Sequence, residues 1–265
     1  MDFFIFLCYH TVMKFNFIID DYQIALNLLR NGKVLFDDAF NDFLSINYKN
    51  EYKYLYSGKV YDTQEFKNLS QFKILDEIIK NPIFEECKQK CLENVNRMQK
   101  TLKDHQKEME EYLKTLTRTT FPNLELNVYV VLKEGFSQFG TNNIFWGSQN
   151  GETDQFYDIV YLYHEAMHKF FGFGNISHTI IEELADKRLA KHLTGKEYEG
   201  HKFLVDTHKE YEYVFSFYFE GEDSPNLNSK AKKRMNKKGY TIFNLEKELI
   251  GYDKKRKLSL ENIGL

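Results

Sequence analysis

The sequence predicts a mostly helical α+β protein, and three patterns along the chain indicate this fold class. A long stretch from Pro82 to about Arg118 repeats apolar residues at helical spacing. Residues 124–132 then place branched apolar side chains at every second position, which is typical of a strand. From about Thr153 the apolar spacing lengthens again to that of a helix. Helices are therefore expected on both sides of a small sheet.

The N-terminal half, residues 14–120, is predicted to be almost entirely helical. A first helix is expected from Asp20 to Arg30, where an Asn-Gly pair follows as a stop signal. The segment 82–118 is amphipathic and polar, so its charged side chains most simply form a solvated helix face. This half is expected to be a helical region that ends near residue 120.

The second half of the chain begins with the sheet. A second short strand is predicted at Asn143–Gly147. A buried helix then continues to about Phe171, where two glycines end it. Two more helices are expected, from about 177 to 193 and from about 198 to 219. The basic tail 229–265 is expected to be weakly structured, with one short helix near residues 243–249. The chain therefore forms either two regions, divided between residues 120 and 121, or one continuous domain.

Composition limits the classes of partner. The formal net charge is −3, with 36 basic and 39 acidic residues, so no basic excess favours nucleic-acid binding. No run is long and apolar enough to predict a membrane span, and the short apolar start makes a poor signal peptide, which favours a cytoplasmic location. Three cysteines give no disulfide framework, and Cys87 and Cys91 are expected to be small buried apolar side chains.

The residues that carry chemistry form the pattern His-Glu-x-x-His, with His164, Glu165 and His168. Positions four apart lie on one face of a helix, so both imidazoles can bind the same metal ion. Glu165 follows the first histidine and is placed to hold a water molecule and take its proton. The motif lies in an apolar helix, where unpaired polar groups are costly and a metal ion would satisfy all three side chains together. The sequence therefore predicts one zinc ion.

A catalytic zinc site needs a third protein ligand and an open position. Glu182 is the first candidate, because it lies on the next predicted helix, beyond a glycine turn that can bring that helix back. Glu183 and His178 are the other two candidates. Glu182 also has a structural alternative, since Thr179 and Glu182 have the spacing of a helix capping box.

His-Glu-x-x-His followed by a helix with Glu-x-x-Ala-Asp resembles the gluzincin metallopeptidases. The resemblance implies that His164 and His168 are paired zinc ligands, that Glu165 is the general base and that Glu182 is the third ligand. It assigns Asp186 to the acid that supports a ligand, accepting the free N–H of His164. It also implies a zincin-like catalytic core in residues 121–265, with a small sheet above the motif helix.

The sequence departs from the family pattern in places. Glu183 stands where the aminopeptidase-like members have glycine, and the spacing to Glu182 is shorter than in the best-known members. The resemblance covers about residues 124–193 and is specific only at the motif. Position 174 is glycine, whereas the metzincins have a histidine there.

The resemblance further implies how a substrate would be held. In gluzincins a strand at the edge of the cleft pairs with the extended substrate backbone. An ordinary sheet strand is the alternative here. A downstream histidine often steadies the oxyanion in these enzymes, and His201 and His208 are possible candidates. The predicted substrate-binding residues are Asn143, Ile144, Phe145 and Trp146.

The resulting hypothesis is a zinc-dependent peptidase, with an endopeptidase slightly favoured because no upstream motif offers acids that would hold a substrate amine. Its substrate would be a peptide or protein. One alternative is a zinc-binding but catalytically inactive relative that acts as a protein-interaction module. Another is a helical interaction protein without metal, for which the segment 82–118 is the support.

Overall fold

The computed structural model is 67% helical with a small four-stranded sheet, which confirms the prediction of a mostly helical α+β fold. The N-terminal segment 1–12, on which the predicted location partly rests, lies outside the described residues. The structure describes residues 13–31, 35–62, 64–138, 140–147, 154–172 and 174–262.

Along the described part of the chain, one strand comes first, and helices lie between it and the other three strands and again after them. The strands are β1 (Met13–Ile18), β2 (Leu124–Val131), β3 (Glu134–Ser137) and β4 (Asn143–Gly147). The helices before β2 are α1 (Asp21–Asn31), α2 (Asp38–Asn47), α3 (Lys49–Tyr56), α4 (Lys73–Lys80) and α5 (Pro82–Thr117), with 3₁₀ turns at Lys59–Asp62 and Gln64–Gln71. The later helices are α6 (Tyr157–Met167), α7 (Asn175–Glu182), α8 (Ala190–Thr194), α9 (Val205–Phe215), α10 (Ser229–Met235) and α11 (Ile242–Asn262). A 3₁₀ turn at Lys202–Leu204 precedes α9, and π-helical segments occupy Glu183–Leu189 and Ser216–Glu220.

Two compact units make up the fold, and each consists of separate stretches of sequence. Helices α5 and α6 contribute to both, because the division falls within them. The predicted boundary between residues 120 and 121 divides the chain into two continuous regions, whereas these units are not continuous. That boundary stays a prediction. Unit 1 contains the described parts of Met1–Lys14, His105–Leu124 and Met167–Leu265, and unit 2 those of Phe15–Asp104 and Glu125–Ala166.

The sheet has the strand order β1-β2-β4-β3. Strands β2 and β4 are parallel, with Asn127 opposite Asn143, while β3 runs antiparallel to β4. Three rings, those of Tyr129, Phe145 and Phe136, stack in a row across these strands with centroid distances of 5.2 and 5.0 Å. Strand β4 therefore lies inside the sheet, between β2 and β3.

Helix α6 contacts the sheet through the only tryptophan of the chain. The Trp146 ring stacks on Tyr161 of α6 at a centroid distance of 5.8 Å. Its indole Nε1 donates to Asp158 Oδ1 at 3.0 Å, and Arg97 Nη2 donates to the other oxygen at 3.0 Å. A Cβ at Gly135 would lie 2.4 Å from the indole ring, so only glycine leaves room for this packing.

Helix α1 is fixed to the turn between β2 and β3 by one buried side chain. Asn27 is fully buried; its Nδ2 donates to the Lys133 carbonyl at 2.5 Å, and its Oδ1 accepts from the Lys133 N–H at 3.2 Å. The Asn27 side-chain amide thus bonds both the N–H and the carbonyl of Lys133, and these two bonds satisfy its own donor and acceptor in the buried position.

Several predicted elements are confirmed. Helix α1 starts and ends within one residue of its predicted bounds, and α5 covers Pro82–Thr117 as a single helix. Strand β4 has its predicted bounds, Asn143–Gly147. Cys87 and Cys91 are free thiols with 3% and 0% of their surface exposed, as their apolar positions on α5 indicated.

Other predictions of secondary structure were wrong. Strands β1 and β3 were not predicted, because both are short and only tertiary pairing stabilises them. The third helix of the C-terminal half starts at Val205, after a 3₁₀ turn, and not near residue 198. The tail is well structured: α10 was not predicted, and the short helix expected near residues 243–249 is part of the much longer α11. In the part of the chain that the structure describes, no helix combines the length and apolarity needed to cross a membrane.

Replacing Asp158 by asparagine should destabilise unit 2, because the buried carboxylate neutralises Arg97 and accepts the Trp146 N–H. We expect the free energy of unfolding to fall by about 2 kcal/mol, less than for a fully enclosed pair since Arg97 is partly exposed. Urea denaturation followed by Trp146 fluorescence measures it.

The matched control is Glu86→Gln, which removes an exposed ion pair with Lys90 on the same helix as Arg97. It should leave the urea midpoint nearly unchanged. Equal midpoints for wild type and the Asp158 variant would contradict the assigned role of this carboxylate.

Candidate metal centre

The His-Glu-x-x-His motif lies at the end of α6. His164 is 1% exposed, and the neighbouring Glu165 is partly exposed. The helix ends at Met167 and not at the predicted Phe171, and the Phe170 and Phe171 N–H groups share the Met167 carbonyl, a pattern common at helix ends. His168 is therefore the first residue after the helix, and it is buried as well.

Three imidazoles of unit 1 follow one another in ring contact. The His168 ring meets the His178 ring of α7 edge to face at a centroid distance of 4.8 Å. The His178 ring in turn lies 4.6 Å from that of His201, which precedes α9. Phe203 contacts both of the latter rings, at 5.8 and 5.3 Å, although 62% of its own surface is exposed.

Glu182, the last residue of α7, is fully buried beside these histidines. Its Oε1 accepts from the His201 backbone N–H at 2.7 Å and lies 2.7 Å from His201 Nδ1. Its Oε2 lies 2.5 Å from His208 Nε2. A Cβ at Gly200 would come within 2.4 Å of Oε2, so this close approach of the chain requires glycine.

These contacts explain the acidity of Glu182. Burial alone would raise its pKa, but the hydrogen bonds from the His201 and His208 rings and from the His201 N–H outweigh it and hold the pKa well below its usual value. Burial also opposes a raised pKa at His208, yet its contacts with two carboxylates raise the pKa of this imidazole. In its protonated form His208 would donate from Nε2 to Glu182 and from Nδ1 to Glu183.

Glu183 is surrounded by permanent charges. Its carboxylate contacts Lys187 Nζ at 2.5 Å, Arg188 Nη1 and His208 Nδ1, the last at 2.9 Å. Burial would raise its pKa, but the bond from His208 and the charges of Arg188 and Lys187 lower the pKa to about 2. These partners leave Glu183 poorly suited to bind a metal ion.

One group of side chains in the described part of the chain could hold a metal ion. His164, His178 and His201 each offer one ring nitrogen, and these atoms all lie within 4.8 Å of one another. Three imidazoles are a known donor set for zinc in catalytic sites, where they leave a fourth position open. The donor chemistry therefore fits the predicted zinc ion, while the identity of a bound metal is not shown by the donors alone.

This group overlaps with the predicted ligands only in part. His164 was predicted, and His178 was one of three candidates for the third ligand. His168 and Glu182 are not members of the group, although each contacts one of its members. His201 was predicted only as an oxyanion-stabilising residue, because nothing in the sequence shows that the chain before α9 returns to α7.

The structure decides one alternative for the predicted site residues and places another of them. The capping-box alternative for Glu182 is wrong, because Thr179 lies inside α7 and its hydroxyl donates to the Asn175 carbonyl at 2.7 Å. Asp186 is fully buried in the π-helical segment that follows, and its carbonyl accepts the Tyr198 N–H at 2.7 Å. Its predicted role as the partner of His164 stays a prediction.

The expectation that Asn143–Gly147 forms the edge of a cleft was wrong. Strand β4 is paired on both sides, so its backbone cannot add a substrate strand. Among its predicted substrate-binding residues, Ile144 and Phe145 are fully buried and Trp146 is bonded to Asp158. The ordinary-strand alternative holds for this segment.

The two candidates for an oxyanion-stabilising role, His201 and His208, both contact Glu182. His208 is mostly buried, with 14% of its side chain exposed, whereas the His201 side chain is 45% exposed. Only His201 thus presents a large part of its side chain to solvent. The oxyanion-stabilising role of each histidine stays a prediction.

Comparison of the chain with protein families, with curated proteins and with solved structures gives no match. The gluzincin resemblance therefore rests on the motif residues themselves.

Gly200→Ala should disturb the Glu182 arrangement directly, because the new methyl group would overlap a carboxylate that three hydrogen bonds hold in place. Overpacking of this kind costs about 1–3 kcal/mol of unfolding free energy. Chemical denaturation of chelator-treated protein measures the loss without any contribution from a metal ion.

Gly251→Ala on α11 is the control, since a Cβ there meets no atom within 4 Å and alanine favours a helix. It should be neutral or slightly stabilising. A Gly200 variant as stable as the wild type would show that Glu182 is not confined as described.

Proposed function

We propose that this protein is a zinc-dependent hydrolase that cleaves peptide bonds, with Glu165 as the general base. The observation that carries the proposal is the concentration of metal-binding side chains around α7: the rings of His168, His178 and His201 are in successive contact, and His201 touches the buried Glu182. His168 and Glu182 are buried members of this group, and polar side chains are costly to bury unless a hydrogen-bond partner, an opposite charge or a metal ion satisfies them.

His164 is the ligand on which the proposal depends most. It belongs to the predicted set with His168 and Glu182, and also to the group with His178 and His201. Two histidines with a glutamate, and three histidines, are both donor sets of catalytic zinc sites. Either set leaves a position for a water molecule or a substrate oxygen.

Glu165 would perform the proton transfers. It follows His164 directly on α6, and the residue is only partly buried. It would take a proton from the attacking water and deliver it to the leaving amine. The zinc ion would supply a Lewis acid that polarises the scissile carbonyl and makes the water more acidic.

Phe203 supports a substrate with apolar groups. Its ring is mostly exposed, yet it is held against His178 and His201. An exposed aromatic ring beside candidate metal ligands offers an apolar surface for a substrate side chain. We propose cleavage of internal peptide bonds, because no upstream motif of the sequence offers acids that would hold the amine of an N-terminal residue.

The first test is elemental analysis of bound metal on purified protein after zinc supplementation and dialysis. Wild type should hold one zinc ion per chain, and His164→Ala should lose it. Loss in His178→Ala and His201→Ala would assign the three-histidine set, whereas loss in His168→Ala and Glu182→Gln would assign the predicted set.

His192→Ala is the control, because His192 stacks on Tyr112 and pairs with Glu108, apart from all five candidates. It should retain zinc fully. A wild-type protein without zinc after supplementation, or a His164 variant that keeps it, would overturn the metal site.

The second test is hydrolysis of a peptide library by zinc-loaded wild type and Glu165→Gln. The variant should keep its zinc and lose activity by at least about 100-fold, the usual contribution of a general base. Glu165→Asp should recover part of the activity, because a carboxylate is restored at a greater distance.

Full activity in Glu165→Gln would overturn the role of Glu165. Zinc bound by the wild type without cleavage of any library peptide would overturn the hydrolase proposal and favour the alternative, a zinc-binding protein-interaction module.

A further inference from the structure

A cavity lies in unit 1 between α10, the following turn and α11, and its residues take no part in the metal centre. It has a volume of about 660 Å³. Cavities of roughly 300–1,000 Å³ usually hold small molecules and are too small to receive a folded partner. Its size therefore indicates a ligand of small-molecule dimensions.

The charge of this cavity is opposite to that of the whole chain. Four basic side chains and one acidic side chain line it, a formal net charge of +3, whereas the chain carries −3. Basic groups that converge on a concave surface attract anions more strongly than the same groups on a flat one. The lining charges are Arg234, Lys237, Lys247, Lys255 and Glu248.

The wall of the cavity is partly fixed before any ligand binds. Arg234 of α10 makes two parallel bonds to Glu248 of α11, at 3.1 and 3.0 Å. This bidentate geometry holds the two helices in register and uses the single acidic side chain of the lining. The three lysines remain to receive an anion.

A buried hydroxyl in the same lining also indicates a ligand. Tyr240 is 8% exposed, and its hydroxyl meets no described acceptor in hydrogen-bond geometry, although the Glu248 carboxylate lies close enough to help raise its pKa. Burial raises its pKa, so the phenol stays protonated and can donate. Buried hydroxyls are rarely left without a partner; besides Glu248, which Arg234 already holds, an anionic oxygen in the cavity would provide one.

We propose that this cavity binds a small polyanion, a molecule that carries two or more phosphate or carboxylate groups. Three lysines supply point charges, and the Tyr240 hydroxyl supplies a directional donor. Neither the metal centre nor the hydrolase activity is needed for this site. The proposal therefore stands or fails separately from the proposed function.

Isothermal titration calorimetry with inorganic pyrophosphate tests the proposal. The full-length protein is first treated with chelator and dialysed, so that pyrophosphate cannot bind to a metal ion held by the protein. Wild type should bind pyrophosphate with a dissociation constant below about 1 mM. Lys237→Gln/Lys247→Gln should weaken binding at least about tenfold, the effect of losing charge-assisted bonds. Tyr240→Phe should weaken it by a smaller factor.

The matched control is Lys238→Gln/Lys254→Gln. It removes the same charge, from the residue next to Lys237 and from the same helix as Lys247, but neither position lines the cavity. Its affinity should stay within about twofold of wild type. A parallel titration with citrate distinguishes a phosphate-bearing ligand from a polycarboxylate.

Equal loss in the two double variants would overturn the proposal, because binding would then follow net charge and not the cavity. Absence of binding to both anions in wild type would also overturn it. Circular dichroism of each variant checks that α10 and α11 remain folded, and a selective loss in a folded variant supports the site.

Discussion

The burial of three acidic side chains within five consecutive residues is the constraint on which the candidate site depends. Glu182, Glu183 and Asp186 are 0%, 4% and 0% exposed. Carboxylates can be buried only where donors or cations meet them. The chain before α9 and α9 itself supply them at Glu182 and Glu183, through the His201 N–H and the two nitrogens of His208. The close approach at Gly200 follows from the same requirement.

Most of the fold could be predicted because its elements are periodic. The amphipathic α5 and the alternating β2 show their class in any short window of sequence. Strands β1 and β3 could not be predicted, since four to six residues carry too little pattern and their stability comes from pairing. The internal position of β4 is a property of sheet order, which no local pattern encodes.

The candidate site was predictable only within a helical turn of the motif. The spacing of His164, Glu165 and His168 predicts proximity on one helix face, and it holds only as far as Met167, where α6 ends. His201 and His208 reach Glu182 across 19 and 26 residues, over a loop and a 3₁₀ turn. Contacts at such separations depend on the path of the chain. A glycine such as Gly200 can indicate that another part of the chain lies very close to the backbone. The sequence alone does not show that the close group here is the Glu182 carboxylate.

The two consecutive glutamates differ in what a metal ion would have to displace, and this difference favours Glu182. Glu183 is held by Lys187 and Arg188, whose charges cannot leave without exposing a buried carboxylate. The side-chain partners of Glu182 are imidazoles, which can lose a proton or turn away when a cation approaches. His208 would keep its contact with Glu183 through Nδ1 while releasing Glu182 from Nε2. A π-helical segment starts at the next residue, and such segments are frequent at functional sites because they shift side chains relative to a regular helix.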